Sequence, residues 1–326
     1  MKKRILSVFI VCILCIVSII GCKKSESTST DIAVEDGTEE GTVYTFGFTC
    51  LSMQNPYFIT LEQALRTEIE SKGHVLITKD PATDSDKQIQ QIKEFIEEGV
   101  DAIFLHPVDW IAITPALELL QEANIKIINI DCEVKAFSYV DAYIGSNNVN
   151  AGILCGLDMV EQLPEGGKIA IMESKTQNSV NDRIRGFEQV IANKGFEVVG
   201  RSETMGELNT AREEAYKIFQ EHPDVVAVMC GNDQTALGAL VAANMAGLKH
   251  IKIYGVDGSP DLKKELMKSD TLIRGTSAQS PINMGTHAGQ IGVALLNGEV
   301  VEKTTYEEVF FIHSDNVDLY GSDGWQ

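Results

Sequence analysis

Six short stretches of this sequence gather side chains suited to holding a polar molecule: MQNPYF (53–58), HPVDW (106–110), DCE (131–133), CGND (230–233), GVDGSPD (255–261) and TSAQSP (276–281). Each begins where an apolar, β-branched run ends. Planar amides and carboxylates donate or accept paired hydrogen bonds, and aromatic rings cover apolar faces. Helix capping is a simpler use for Asn, Asp and Ser at strand-to-helix turns. It accounts for Asp84, Ser259 and Asn147, but less well for Asp131, Asn232, Asp257 and Gln279, which all fall at strand ends. Tyr57 and Phe58 could plug the core beneath a helix, as most aromatics do. Adjacent helical residues project about 100° apart, so at least one ring is expected to face a cleft.

Catalytic signatures are missing. The chain has no G-x-G-x-x-G after its first strand, no G-x-x-x-x-G-K-[ST], no G-x-S-x-G and no H-E-x-x-H. Its six histidines are scattered, and His106 before Pro107 reads as a satisfied strand-end residue. No nucleophile–base pair can be assembled, so an enzyme is the weaker reading and no cofactor is implied. Cys50, Cys132, Cys155 and Cys230 lack the spacing of a metal site and are expected as buried thiols, a disulfide between an unassigned pair being the alternative in an exported protein.

The elements that must position these residues follow from periodicity. From residue 42, short apolar runs (VYTFGFTC, VLITK, AIFLH, IKIINI, AYIG) alternate with helical stretches. In DSDKQIQQIKEFIEEG the apolar positions Ile89, Ile92, Phe95 and Ile96 recur at helical spacing. ITPALELLQEAN carries Pro115 in its first turn. The alternation resumes with GKIAIME, GFEVVGR, DVVAVMC, IKIYGVD and TLIRGTS. About ten strands alternating with helices predict an α/β fold of two doubly wound parallel-sheet lobes. In such sheets ligands sit beyond the carboxyl ends of the strands, where the six stretches lie.

The N-terminus addresses location. MKKR precedes a 16-residue apolar run, then Gly21-Cys22. This reads as a signal peptide over residues 1–21, with an uncleaved membrane anchor as the simpler alternative. Ile19-Ile20-Gly21-Cys22 resembles the lipobox of bacterial lipoproteins, which implies acylation of Cys22. Residues 22–41, rich in Ser, Thr and acids, read as a flexible tether. A net charge of −20 argues against nucleic-acid binding.

Taken together, NPYF, IDCE, NDRIRGF, HPDVVAVMCGNDQTALGAL, IYGVDGSPD and TSAQSP resemble the ribose/galactose-type (type I) sugar-binding proteins of bacterial ABC importers, over residues 43–312. The resemblance implies a three-segment hinge between an N-terminal lobe (42–146 plus 280–308) and a C-terminal lobe (147–279 plus 309–326). It implies a monomer that binds a sugar or polyol in the interlobe cleft and hands it to an ABC permease and ATPase complex. A receptor subunit feeding a histidine kinase or chemoreceptor is the alternative. Site residues carried over are Asn55, Tyr57, Phe58, Asp131, Asn181, Arg183, Asn232, Asp257 and Gln279. Ribose-type arginines are replaced by Cys132 and Asn181, and a facing aromatic by Gly206-Glu207. Trp110 and Glu133 are candidates to compensate, and Trp110 equally suits helix packing.

Overall fold

The computed structural model describes residues 42–326; the expected signal segment, the Cys22 lipid site and the whole of the tether lie outside the described residues. Two six-stranded sheets are built from the alternation. The first takes β1 (Thr45–Thr49), β2 (Val75–Lys79), β3 (Ala102–Leu105), β4 (Lys126–Ile130) and β5 (Ala142–Ser146). Helices α1 (Pro56–Ser71), α2 (Ser85–Glu97) and α3 (Thr114–Glu122) connect the first four. The second takes β6 (Gly167–Glu173), β7 (Phe196–Glu203), β8 (Ala227–Cys230), β9 (Lys252–Asp257) and β10 (Ile273–Ala278). Its helices are α4 (Asn148–Gln162), α5 (Asn178–Ile191), α6 (Leu208–Glu221), α7 (Asp233–Met245) and α8 (Pro260–Leu266).

The chain passes between the sheets three times. It leaves the first after β5, re-enters it through α9 (Pro281–Leu296) and β11 (Thr304–Glu307), and ends its strands in the second with β12 (Phe310–His313). β11 and β12 are edge strands beyond the ten read from the sequence. β11 is the polar run TTYE, only partly buried, so it lacks the apolar signature of a central strand. β12 pairs antiparallel with β10, the one departure from parallel pairing among the described strands. The interior strands are buried on both faces, as in AIFL of β3, and so read as unbroken apolar runs.

Close packing of α4 on α5 fixes the site-bearing face of α5. A Cβ on Gly152 would lie 1.8 Å from the Arg183 carbonyl oxygen, and one on Gly186 would lie 2.0 Å from that of Val149. Only glycine permits this approach. Beyond β12, Trp325 packs edge-on against Tyr57 at 5.8 Å, joining the core under the first sheet.

Candidate functional site

The carboxyl ends of β1, β3 and β4 face those of β6, β8 and β9 across a cleft. It is bordered by Leu51, Asn55, Tyr57, Phe58, His106 and Asp131 from the first sheet. Opposite them stand Ser174, Gln177, Ser179, Val180, Arg183, Gly206, Asn232 and Asp257, with Gln279 at a crossover.

On the first wall, Asn55 caps α1: its side-chain oxygen accepts from the Tyr57 N–H at 3.0 Å, and Pro56 opens the helix. This cap sets both rings into the first helical turn. Tyr57 and Phe58 are both buried, and their rings meet edge-to-face at 5.3 Å. Both also reach the cleft. The Tyr57 hydroxyl donates toward Asp131 Oδ1 at 3.4 Å, and Phe58 lies edge-on to His106 at 4.5 Å. Core and cleft therefore share these two side chains, and the choice between them posed by the sequence does not arise.

Asp131 follows β4 with φ +59°, a left-handed conformation strained for this residue. Its Oδ2 lies 3.1 Å from His106 Nε2 and its Oδ1 lies 3.8 Å from Arg183 Nη2. Burial opposes ionisation of Asp131, but the His106 bond, Arg183 and Tyr57 together hold its pKa below the usual aspartate range. Burial, then the Asp131 charge, pushes the Tyr57 phenol well above its ordinary value.

The second wall is organised by Arg183. Its Nε donates to Asn148 Oδ1 and its Nη1 to the Gly231 carbonyl, each at 2.8 Å. The guanidinium is thereby held between Asp131 and Asp257, whose Oδ1 is 4.0 Å from Nη1. Asp257 ends β9 with φ +142°, again a positive φ at a site carboxylate. It accepts from Gln279 Nε2 at 2.8 Å and from the Asp233 N–H at 3.4 Å. Burial, then the Asp233 carboxylate, pushes Asp257 well above the usual range; burial also raises Asp233, against bonds from Ser259 and Thr276. Asn232 does cap α7, contrary to the expectation from its strand-end position: Oδ1 accepts from Thr235 N–H at 2.9 Å. Its amide donates to the Gly206 carbonyl at 3.1 Å.

Eight of the nine expected residues come together. Asn181 does not: it sits on α5 with its amide donating to the Lys175 carbonyl at 3.0 Å, outside the cleft. The buried face of α5 carries Ser179, Val180, Arg183, Ile184 and Phe187. That phase presents Arg183, not Asn181, and the apolar stripe Val180–Ile184–Phe187 was the signal for it. Trp110 and Glu133 also lie outside the cleft lining. Cys132 stays at the boundary, its Sγ accepting from the Asn178 N–H at 3.1 Å.

Sequence reasoning missed Ser174, a strand-end residue like the others, and Gln177. It also undervalued His106. Gln177 also links the lobes, donating its amide to the carbonyls of Pro107 at 3.0 Å and Val108 at 2.7 Å. Beside it the Trp110 N–H donates to the Thr176 carbonyl at 3.0 Å.

Three polar atoms bordering the cleft are buried without a partner: His106 Nδ1, Ser174 Oγ and Gln279 Oε1. Unpaired buried polar atoms are rare because each costs about 1–3 kcal/mol. The space among them is about 30 Å³, room for a water or two. Among the described residues no group of three or more His, Cys, Asp or Glu side chains gathers as a metal site.

Comparison with known proteins agrees with this fold. The family model described as a periplasmic binding protein domain matches residues 46–300. The ribose import binding protein of Bacillus subtilis is 30% identical over 262 residues, covering 80% of this chain and 84% of its own. An ABC transporter solute-binding protein from Agrobacterium vitis, solved with bound D-fucose, superposes with a TM-score of 0.79. It is 25% identical and covers 84% of this chain and 97% of its own. The arabinose-transporter binding protein of Shewanella sp. ANA-3, bound to arabinofuranose, gives 0.77 at 26% identity, covering 85% and 94%. The chain belongs to the family of periplasmic binding proteins.

Proposed function

We propose that this protein captures a monosaccharide-sized sugar or polyol in the cleft, outside the cytoplasm, and delivers it to an ABC permease and ATPase complex. Acylation of Cys22 would tether it to the cell membrane as a lipoprotein. The lobes divide at 146/147, 279/280 and 308/309, and those three crossovers form the hinge.

The clustering of unpartnered His106 Nδ1, Ser174 Oγ and Gln279 Oε1 around Asp131, Arg183 and Asp257 carries this reading. A sugar hydroxyl donates and accepts at once, so a ring of hydroxyls can satisfy all of these groups. The rings of Tyr57 and Phe58 offer a surface for a C–H face. Hydrogen bonds to charged groups contribute about 1.5–3 kcal/mol each, enough for micromolar affinity after the ordering cost. A sugar ring exceeds the enclosed space, so it enters when the lobes part and is held when they close. The names of relatives, given for ribose, D-fucose and arabinofuranose, support the ligand class.

A thermal-shift screen of pentoses, hexoses and polyols tests the proposal. At least one should raise Tm, with stabilisation of about 2.7 kcal/mol at 100 times Kd. No response from any of them would overturn it.

A further inference from the structure

Beside the sugar cleft lies a second and larger chamber, about 320 Å³, that also straddles the two lobes. Ser179 borders both spaces. Glu133, Ser146 and Tyr306 line the chamber from the first lobe, and Asn178, Asp182 and Arg185 from the second, with Asn147 at the crossover between them.

Its charges do not balance. Asp182 pairs with Arg185 at 2.9 Å, whereas Glu133 makes no ion pair or side-chain hydrogen bond among the described residues. Burial, then the Asp182 carboxylate, raises the pKa of Glu133, the effect expected of a half-buried acid without an ion-pair partner, since the one cation lining the chamber, Arg185, is engaged by Asp182. A second observation is independent of charge: Ser146 Oγ, on a residue 1% exposed, has no hydrogen-bond partner and borders the same chamber. A third is the Tyr306 ring, 58% exposed at the mouth and braced edge-on by Tyr143 at 6.0 Å. An aromatic face next to an uncompensated carboxylate is a setting for an ammonium group. The hydroxyl of Ser146 and the amides of Asn147 and Asn178 suit a neighbouring hydroxyl.

We propose that this chamber is a second ligand site, taking a small monocationic amino alcohol whose ammonium sits between Glu133 and the Tyr306 ring and whose hydroxyl bonds Ser146. One positive charge matches the one unpaired carboxylate. Because the lining comes from both lobes, occupation favours the closed state and strengthens sugar binding, with a reciprocal effect of the sugar on the amine.

An amide-resolved NMR titration of the full chain with ethanolamine, in the absence of any sugar, tests this directly. Its outcome does not depend on the sugar-binding proposal. Saturable shifts are expected at Ser146, Asn147 and Asn178, and none with ethylene glycol, the neutral analogue. Glu133→Gln should weaken ethanolamine at least about tenfold, the loss of one charged hydrogen bond. Ser146→Ala and Tyr306→Leu should each weaken it by a smaller factor, and they serve if Glu133→Gln fails to fold. Absence of shifts through the millimolar range, equal shifts with ethylene glycol, or unchanged affinity in the variants would overturn the proposal.

Discussion

Asp131 and Arg183 face one another across the boundary between the two sheets, Oδ1 to Nη2 at 3.8 Å. That separation is an ion pair and too long for a hydrogen bond, so both groups retain capacity for a ligand. Arg183→Met would leave Asp131 and Asp257 buried without their shared cation. Breaking one side of such a pair costs about 3–5 kcal/mol, and urea unfolding should show a loss of that order. Arg183→Lys keeps the charge but cannot reproduce the fork that engages Asn148 and Gly231. It should fold with a smaller loss and bind sugar at least about tenfold more weakly by calorimetry.

Gln177 holds the lobes together through two carbonyls of the facing lobe. Each such bond contributes about 0.5–1.5 kcal/mol. Gln177→Ala should therefore lower the closed population, and sugar affinity should fall roughly five- to a hundredfold. Small-angle scattering of the unliganded variant should show a larger radius of gyration than wild type. An unchanged radius together with unchanged affinity would remove Gln177 from closure.

Asp257 sets the pH dependence. Its pKa is raised by burial and by Asp233, so the fold favours its protonated form. A raised pKa gives stability that is fully present below the ordinary value of 3.8 and is lost as pH rises through the native titration. The slope for one proton is at most about 1.4 kcal/mol per pH unit. Asp257→Asn should remove this slope and be the more stable protein at neutral pH, while losing sugar binding. Asp131 works in the opposite sense, its contribution present above the ordinary value and lost as pH falls through its lowered one. The difference between wild-type and Asp257→Asn urea stabilities across pH isolates the Asp257 effect; a flat difference would contradict it.

The fold was legible because interior parallel strands are buried on both faces, and chains such as AIFL announce that in their composition. Asp131 and Asp257 were legible as polar residues ending such runs. The edge strand TTYE carries no apolar run to read. Arg183 and Asn181 are two residues apart on α5, and only helical phase separates cleft from surface. Gln177 precedes that helix in a polar turn, so nothing local distinguishes it from solvent-facing neighbours. Its partners are about 70 residues distant in sequence. Trp325 likewise meets Tyr57 only through the folded chain.

Cys132 offers a probe of opening. Burial, with the Asp131 charge adding, pushes its thiol up to about 12, and its Sγ accepts from Asn178 on the other lobe. Thiolate is the reactive form, so alkylation at mildly alkaline pH should be slow in the closed protein. Added sugar should slow it further and Gln177→Ala should speed it. Rates insensitive to both would show that Cys132 does not report closure.

Calorimetric titration of wild type and Asp257→Asn with the sugar giving the largest thermal shift decides whether the cleft around Asp257 is where sugar binds. Wild type should bind at one site near the micromolar range, about −8 kcal/mol, and the variant, still folded, should lose at least about a hundredfold. Equal affinity of the two proteins would contradict that placement.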